Sequence, residues 1–188
     1  MFLTLPTLLT WARIVAIPLI VGLYYLPWPM AELNTLAAIL FVVVALTDWV
    51  DGWLARRLNQ TSSFGAFLDP VADKFLVCAS LLILLQLDRV NALVALVIIG
   101  REIAISALRE WMAQIGASRS VAVHMLGKLK TASQMAAIVF LLYDAPLPLI
   151  GHASLWGTGL IYIACALTIW SMVYYLKKAL PDIRAKAK

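Results

Sequence analysis

DWVDGWLARRLNQTSSFGAFLDPVADK, residues 48–74, decides how the rest of the chain reads. Four of the ten acidic residues (Asp48, Asp51, Asp69 and Asp73) fall inside it, between two hydrophobic runs each long enough to cross a bilayer. An aspartate at the centre of a membrane helix costs about 2.5–3.5 kcal/mol on insertion scales. Four together repel unless cations neutralise them. Asp48, Asp51, Gly52, Ala55 and Arg56 follow the spacing of one helical stripe, and Gly65, Asp69 and Asp73 follow that of a second. Joined by the short polar turn LNQTSS (58–63), the two stripes are expected to face each other across a pocket of four carboxylates with a basic residue beside it.

Outward from this stretch the chain is apolar. It is 63% hydrophobic and 13% charged with a mean hydropathy of +0.92, against roughly 45–50% and 25% for soluble domains. This composition predicts an all-α, polytopic membrane protein and, at 188 residues, a single domain over 1–188 with a flexible charged tail from about 181. Hydropathy marks six spans at about 8–26, 33–57, 65–87, 90–115, 127–143 and 154–176. The first is not a signal peptide, since it lacks a basic start and a cleavage site, and Arg13 interrupts it. Thr4 or Thr7 is expected to cap its helix near Pro6, with Trp11 and Arg13 at headgroup level. Cys78 and Cys165 read as small core hydrophobes, and His124 and His152 as isolated loop or interface residues.

The net charge of +5 is unevenly spread. Arg56 and Arg57 follow span two; Arg119, Lys128 and Lys130 lie between spans four and five; Lys177, Lys178, Arg184, Lys186 and Lys188 fill the tail. The alternate loops offer only Arg89, so both termini and the pocket mouth are expected on the cytoplasmic side of the cell membrane. With 1.5 Å of rise per residue, Asp51 and Asp48 then lie roughly 9–14 Å below that surface. Pro70 within the third span implies either a helix starting near Asp69 or a bend over the site; the spacing of the acids favours the bend.

Oxygen ligands without cysteine or a convincing histidine suit two hard divalent cations, Mg²⁺ or Mn²⁺, and argue against zinc. Such a pair can clamp a diphosphate, and a lipid-tailed diphosphate matches a pocket at this depth. Arg101 and Arg109, eight apart on span four, and Lys128, which with Lys130 opens helix five, offer cations to an anionic second substrate, although an inner-leaflet anchor accounts for Arg109, Lys128 and Lys130 as well. Arg101 is expected to face the pocket or pair with Glu102 or Glu110.

The pattern D-x2-D-G-x2-A-R-x8-G-x3-D-x3-D, matched at Asp48, Asp51, Gly52, Ala55, Arg56, Gly65, Asp69 and Asp73, resembles the motif of the CDP-alcohol phosphotransferase family. PTLLTWAR, REIAISALREWM and GKLKTASQM resemble the branch using glycerol 3-phosphate, and the likeness runs over most of the chain. The resemblance implies Asp48, Asp51, Asp69 and Asp73 as metal ligands, with Asp73 also the catalytic base. Gly52, Ala55, Arg56 and Gly65 become the cytidine diphosphate contacts. It further implies transfer of the phosphatidyl group of CDP-diacylglycerol to glycerol 3-phosphate, with CMP released, by a homodimer whose interface nothing in the sequence marks. Arg101, Arg109 and Lys128 are the candidate holders of the acceptor phosphate. A sister enzyme with another acceptor and a divalent-metal transporter are the competing readings. The second leaves Gly52, Ala55, Arg56 and Gly65 without a role.

Overall fold

Apolar runs separated by proline pairs, an Asp-Arg step and a polar turn dictate a chain of helices, and helices are what form. A computed structural model describes residues 5–58, 63–114, 125–148 and 151–186; the side chains at 5–7, 48–58, 63, 66, 125–126 and 182–186 lie outside the described residues, as do positions 1–4, 59–62, 115–124, 149–150 and 187–188 altogether. Among the described residues there are six helices: α1 Leu5–Leu23, α2 Met30–Leu58, α3 Ser63–Gln86, α4 Ala92–Gln114, α5 Met125–Tyr143 and α6 Ala153–Lys186. A two-residue antiparallel ladder, β1 Pro146–Leu147 with β2 Gly151–His152, joins the last two.

Local chemistry sets several boundaries. Pro29 ends the first connection and its carbonyl accepts from the amides of Glu32 and Leu33, opening α2. Asp88 sits at φ 56° after α3, with the Arg89 amide on the Leu84 carbonyl (2.8 Å) and its own amide on Leu85 (3.1 Å). That paired closure is a Schellman end, built on an aspartate rather than a glycine. Asn91 then caps α4, its side-chain oxygen accepting from the Leu93 amide at 2.8 Å. α1 begins at Leu5, which puts Thr7 inside the helix rather than at its cap; Thr4 lies outside the described residues.

α1 packs on α2 and α3, α6 on α5 and α4, and α5 on α2, with α3 also touching α4 and α5. The main core gathers Ile17, Phe41, Leu76, Leu84, Ile98, Ile138 and Leu141 from five of these helices. Gly157 marks a close α5–α6 approach: a Cβ there would lie 2.6 Å from Leu141 Cγ and 3.0 Å from the Leu141 backbone nitrogen. At one end Arg89 ties the bundle together. It donates to Asn34 Oδ1 and to the Leu141 and Leu142 carbonyls that α5 leaves unpaired, and it bridges to Asp144 at 3.1 Å.

The outward faces are greasy, with Leu19, Leu93, Leu155 and Trp170 exposed. α2 over Met30–Thr47 and α6 over Ala153–Pro181 are long and apolar enough to cross a membrane, while the apolar part of α1, Leu8–Leu23, is shorter. The other helices interrupt their apolar runs with Asp69, Asp73 and Lys74, with Arg101, Glu102 and Arg109, or with Lys130.

Two expectations change and one holds. α6 does not give way to a loose tail at 181 but continues through Pro181 to Lys186, because Tyr175 and Ala179 pack into a second core with Ile105, Leu108 and Met112 of α4. α3 starts at Ser63 and runs through Pro70, in line with the reading that the acid spacing favours. Lys130, read as an inner-leaflet anchor opening helix five, sits within α5 but is buried.

Candidate active site

Asp69 and Asp73 lie one turn apart on α3, so their carboxylates share a face. α1 meets that face with two polar side chains three residues apart. Thr10 Oγ1 donates to Asp69 Oδ1 at 2.6 Å, and Arg13 Nη1 to Asp73 Oδ1 at 2.9 Å. Trp11 stacks on Phe64 at 6.5 Å between ring centroids, fixing the helix pair beside these contacts. The Arg13 side chain is 0% exposed and that of Asp73 42%. Arg13 is therefore turned into the bundle and not outward. A wholly buried guanidinium needs an anion, and Asp73 provides one while keeping part of its surface open.

From Asp73 a cavity of about 200 Å³ opens between α3, α4 and α5. Asp73 and Lys74 form one wall, Glu102 and Arg109 another, and Lys130 and Gln134 a third. Lys130 donates to Glu102 Oε1, and Arg101 Nη1 reaches the same oxygen at 3.3 Å. Arg101 Nη2 turns away to Ser171 Oγ on α6 at 3.0 Å. Arg101 thus sits behind Glu102 and is not among the cavity-lining residues, nor is the exposed Lys128. Arg109 lines the cavity and lies over the Tyr175 ring, 5.7 Å from its centroid. The volume suits a small polar molecule; drug-sized ligands need roughly 300 Å³ or more.

The sequence singled out the α3 acids and Arg109 but not Thr10, Lys74, Glu102 as a cavity wall, or Gln134. The signal for α1 was present: Thr10 and Arg13 are a polar pair at i, i+3 in an apolar helix. Asp48, Asp51, Gly52, Ala55 and Arg56 belong to the last turns of α2, but their side chains lie outside the described residues. Gly65 falls one turn before Asp69. Among the described residues, which leave out the side chains of the α2 acids, no three His, Cys, Asp or Glu form a cluster. His152 is exposed on β2 against Ser154, and Cys78 and Cys165 are free and half-buried; His124 lies outside the described residues.

A family model for CDP-alcohol phosphatidyltransferases matches residues 3–170. The chain belongs to this family. In keeping with that membership, curated relatives named CDP-diacylglycerol–glycerol-3-phosphate 3-phosphatidyltransferase align over 185 residues, 95% of this chain and 96% of theirs. The protein from Salmonella choleraesuis is 45% identical and that from Escherichia coli K12 47%; a Shigella flexneri relative of the same name is 45% identical. This CDP-alcohol phosphatidyltransferase therefore places its α3 acids, a buried α1 arginine and a cation-lined cavity within one junction of four helices.

Proposed function

We propose that the protein transfers the phosphatidyl group of CDP-diacylglycerol to glycerol 3-phosphate, releasing CMP. The observation that carries this reading is the cavity in which Asp73 shares one small space with Lys74, Arg109 and Lys130. A carboxylate able to take a hydroxyl proton beside cations able to hold a phosphate is what a phosphorylated alcohol requires.

The acceptor hydroxyl attacks the β-phosphorus that carries the diacylglycerol. The new bond joins that phosphorus to the acceptor oxygen, the bond to the bridging oxygen breaks, and CMP leaves. Asp73 receives the hydroxyl proton, while Arg13 on its Oδ1 fixes the direction of the carboxylate. Arg109 and Lys74 meet the acceptor phosphate. Lys130 adds charge from below, tempered by Glu102, and Arg101 steadies Glu102 from behind; Lys128 supplies charge at the cavity's approach. Gly52, Ala55, Arg56 and Gly65 take the cytidine diphosphate.

The donor set fits hard dications. Asp69 and Asp73 offer carboxylate oxygens a turn apart on one helix face. With Asp48 and Asp51 they would hold two Mg²⁺ or Mn²⁺ ions. Such a pair, when bound, neutralises the diphosphate and steadies the attacking and leaving oxygens. The bundle sits in the cell membrane on six spans, its termini and cavity mouth cytoplasmic, and acts as a homodimer.

Incubating the purified protein with CDP-diacylglycerol and glycerol 3-phosphate, inositol phosphate or phosphatidylglycerol in turn tests the assignment. CMP release with glycerol 3-phosphate alone is expected. No release with it, or cation uptake into liposomes without CMP, overturns the proposal.

A further inference from the structure

Gln134 is 2% exposed, lines the cavity, and leaves its Oε1 without a hydrogen-bond partner. A buried amide oxygen in that state has given up its hydrogen bond to water without a replacement. Nearby donors on the same helix are committed elsewhere: Lys130 to Glu102, and Thr131 Oγ1 to the Gly127 carbonyl at 3.0 Å. We propose that Gln134 is a specificity-determining residue that accepts a hydrogen bond from the non-reacting hydroxyl of the acceptor. This rests on the acceptor reading given above.

The chemistry narrows the ligand group. An amide oxygen accepts and does not donate. A phosphate near neutral pH, with a second pKa of about 6, has little proton left to offer. The attacking hydroxyl surrenders its proton to Asp73. In glycerol 3-phosphate that leaves the secondary hydroxyl as the one donor able to satisfy Oε1. The phosphate, the attacking hydroxyl and the secondary hydroxyl are then each met by a different group: the cations, Asp73 and Gln134. A site built around a hydroxyl rejects the analogue that lacks it, because the amide is left unpaired again.

The probe is 3-hydroxypropyl phosphate, which is glycerol 3-phosphate without its secondary hydroxyl. Wild-type protein is expected to use it with kcat/KM lower by about tenfold or more. In Gln134→Met, a substitution of similar length without the oxygen, the value for glycerol 3-phosphate should fall about tenfold while that for the analogue changes less than about threefold, closing the gap. Equal losses for both acceptors in the variant would make Gln134 structural and overturn the inference alone. Equal use of both compounds by wild-type protein would do so without any variant. Failure of wild-type protein to use either acceptor would remove the acceptor reading and this inference with it.

Discussion

At the scale of single residues, Asp73 serves two neighbours: Arg13 of α1 donates to its Oδ1, and its part-exposed side chain lines the cavity. Asp73→Asn keeps an oxygen for Arg13 but loses the base. Turnover should fall by about a hundredfold or more, while much of the Mn²⁺ binding remains; wild-type CMP release would exclude the base role. Arg109→Ala should raise the KM for glycerol 3-phosphate by about tenfold, as expected for one charged hydrogen bond, and leave that for CDP-diacylglycerol nearly unchanged. An unchanged acceptor requirement in steady-state kinetics would return Arg109 to a headgroup anchor stacked on Tyr175. The α3 acids were legible because charges at fixed helical spacing in an apolar chain cost too much to persist without a shared partner. Arg13 was not, since hydropathy cannot tell a cation at the interface from one buried against an acid 60 positions away. The anchor reading of Lys130 fails for the same reason, its partner Glu102 being on another helix.

At the scale of elements, hydropathy located every helix, and proline and polar breaks located most ends. What it missed was set by neighbours. α6 outruns its apolar segment because Tyr175 and Ala179 have α4 to pack against. Gly157 and Gly159 look alike in the sequence, yet a Cβ at 159 meets nothing within 4 Å while one at 157 strikes Leu141. Gly157→Leu should therefore destabilise the α5–α6 pair by about 1–3 kcal/mol, as overpacking does, with a lowered melting temperature in detergent. An unaltered melt would mean that the two helices separate without cost.

At the scale of the whole molecule, charge is sorted by end. Asp69, Asp73, Lys74, Glu102, Arg109 and Lys130 gather in one region, while Arg89, Asn34 and Asp144 lock another. Between them the surface is apolar, as suits a bilayer. The proposed reaction needs the four aspartates of α2 and α3 to act as one centre. The direct measurement is Mn²⁺ titration of the purified protein, followed by electron paramagnetic resonance without substrates. The account predicts two ions per chain in wild-type protein and fewer in Asp48→Asn and in Asp69→Asn, one variant on each helix. Binding that is absent in wild-type protein, or unaltered by both substitutions, would contradict it.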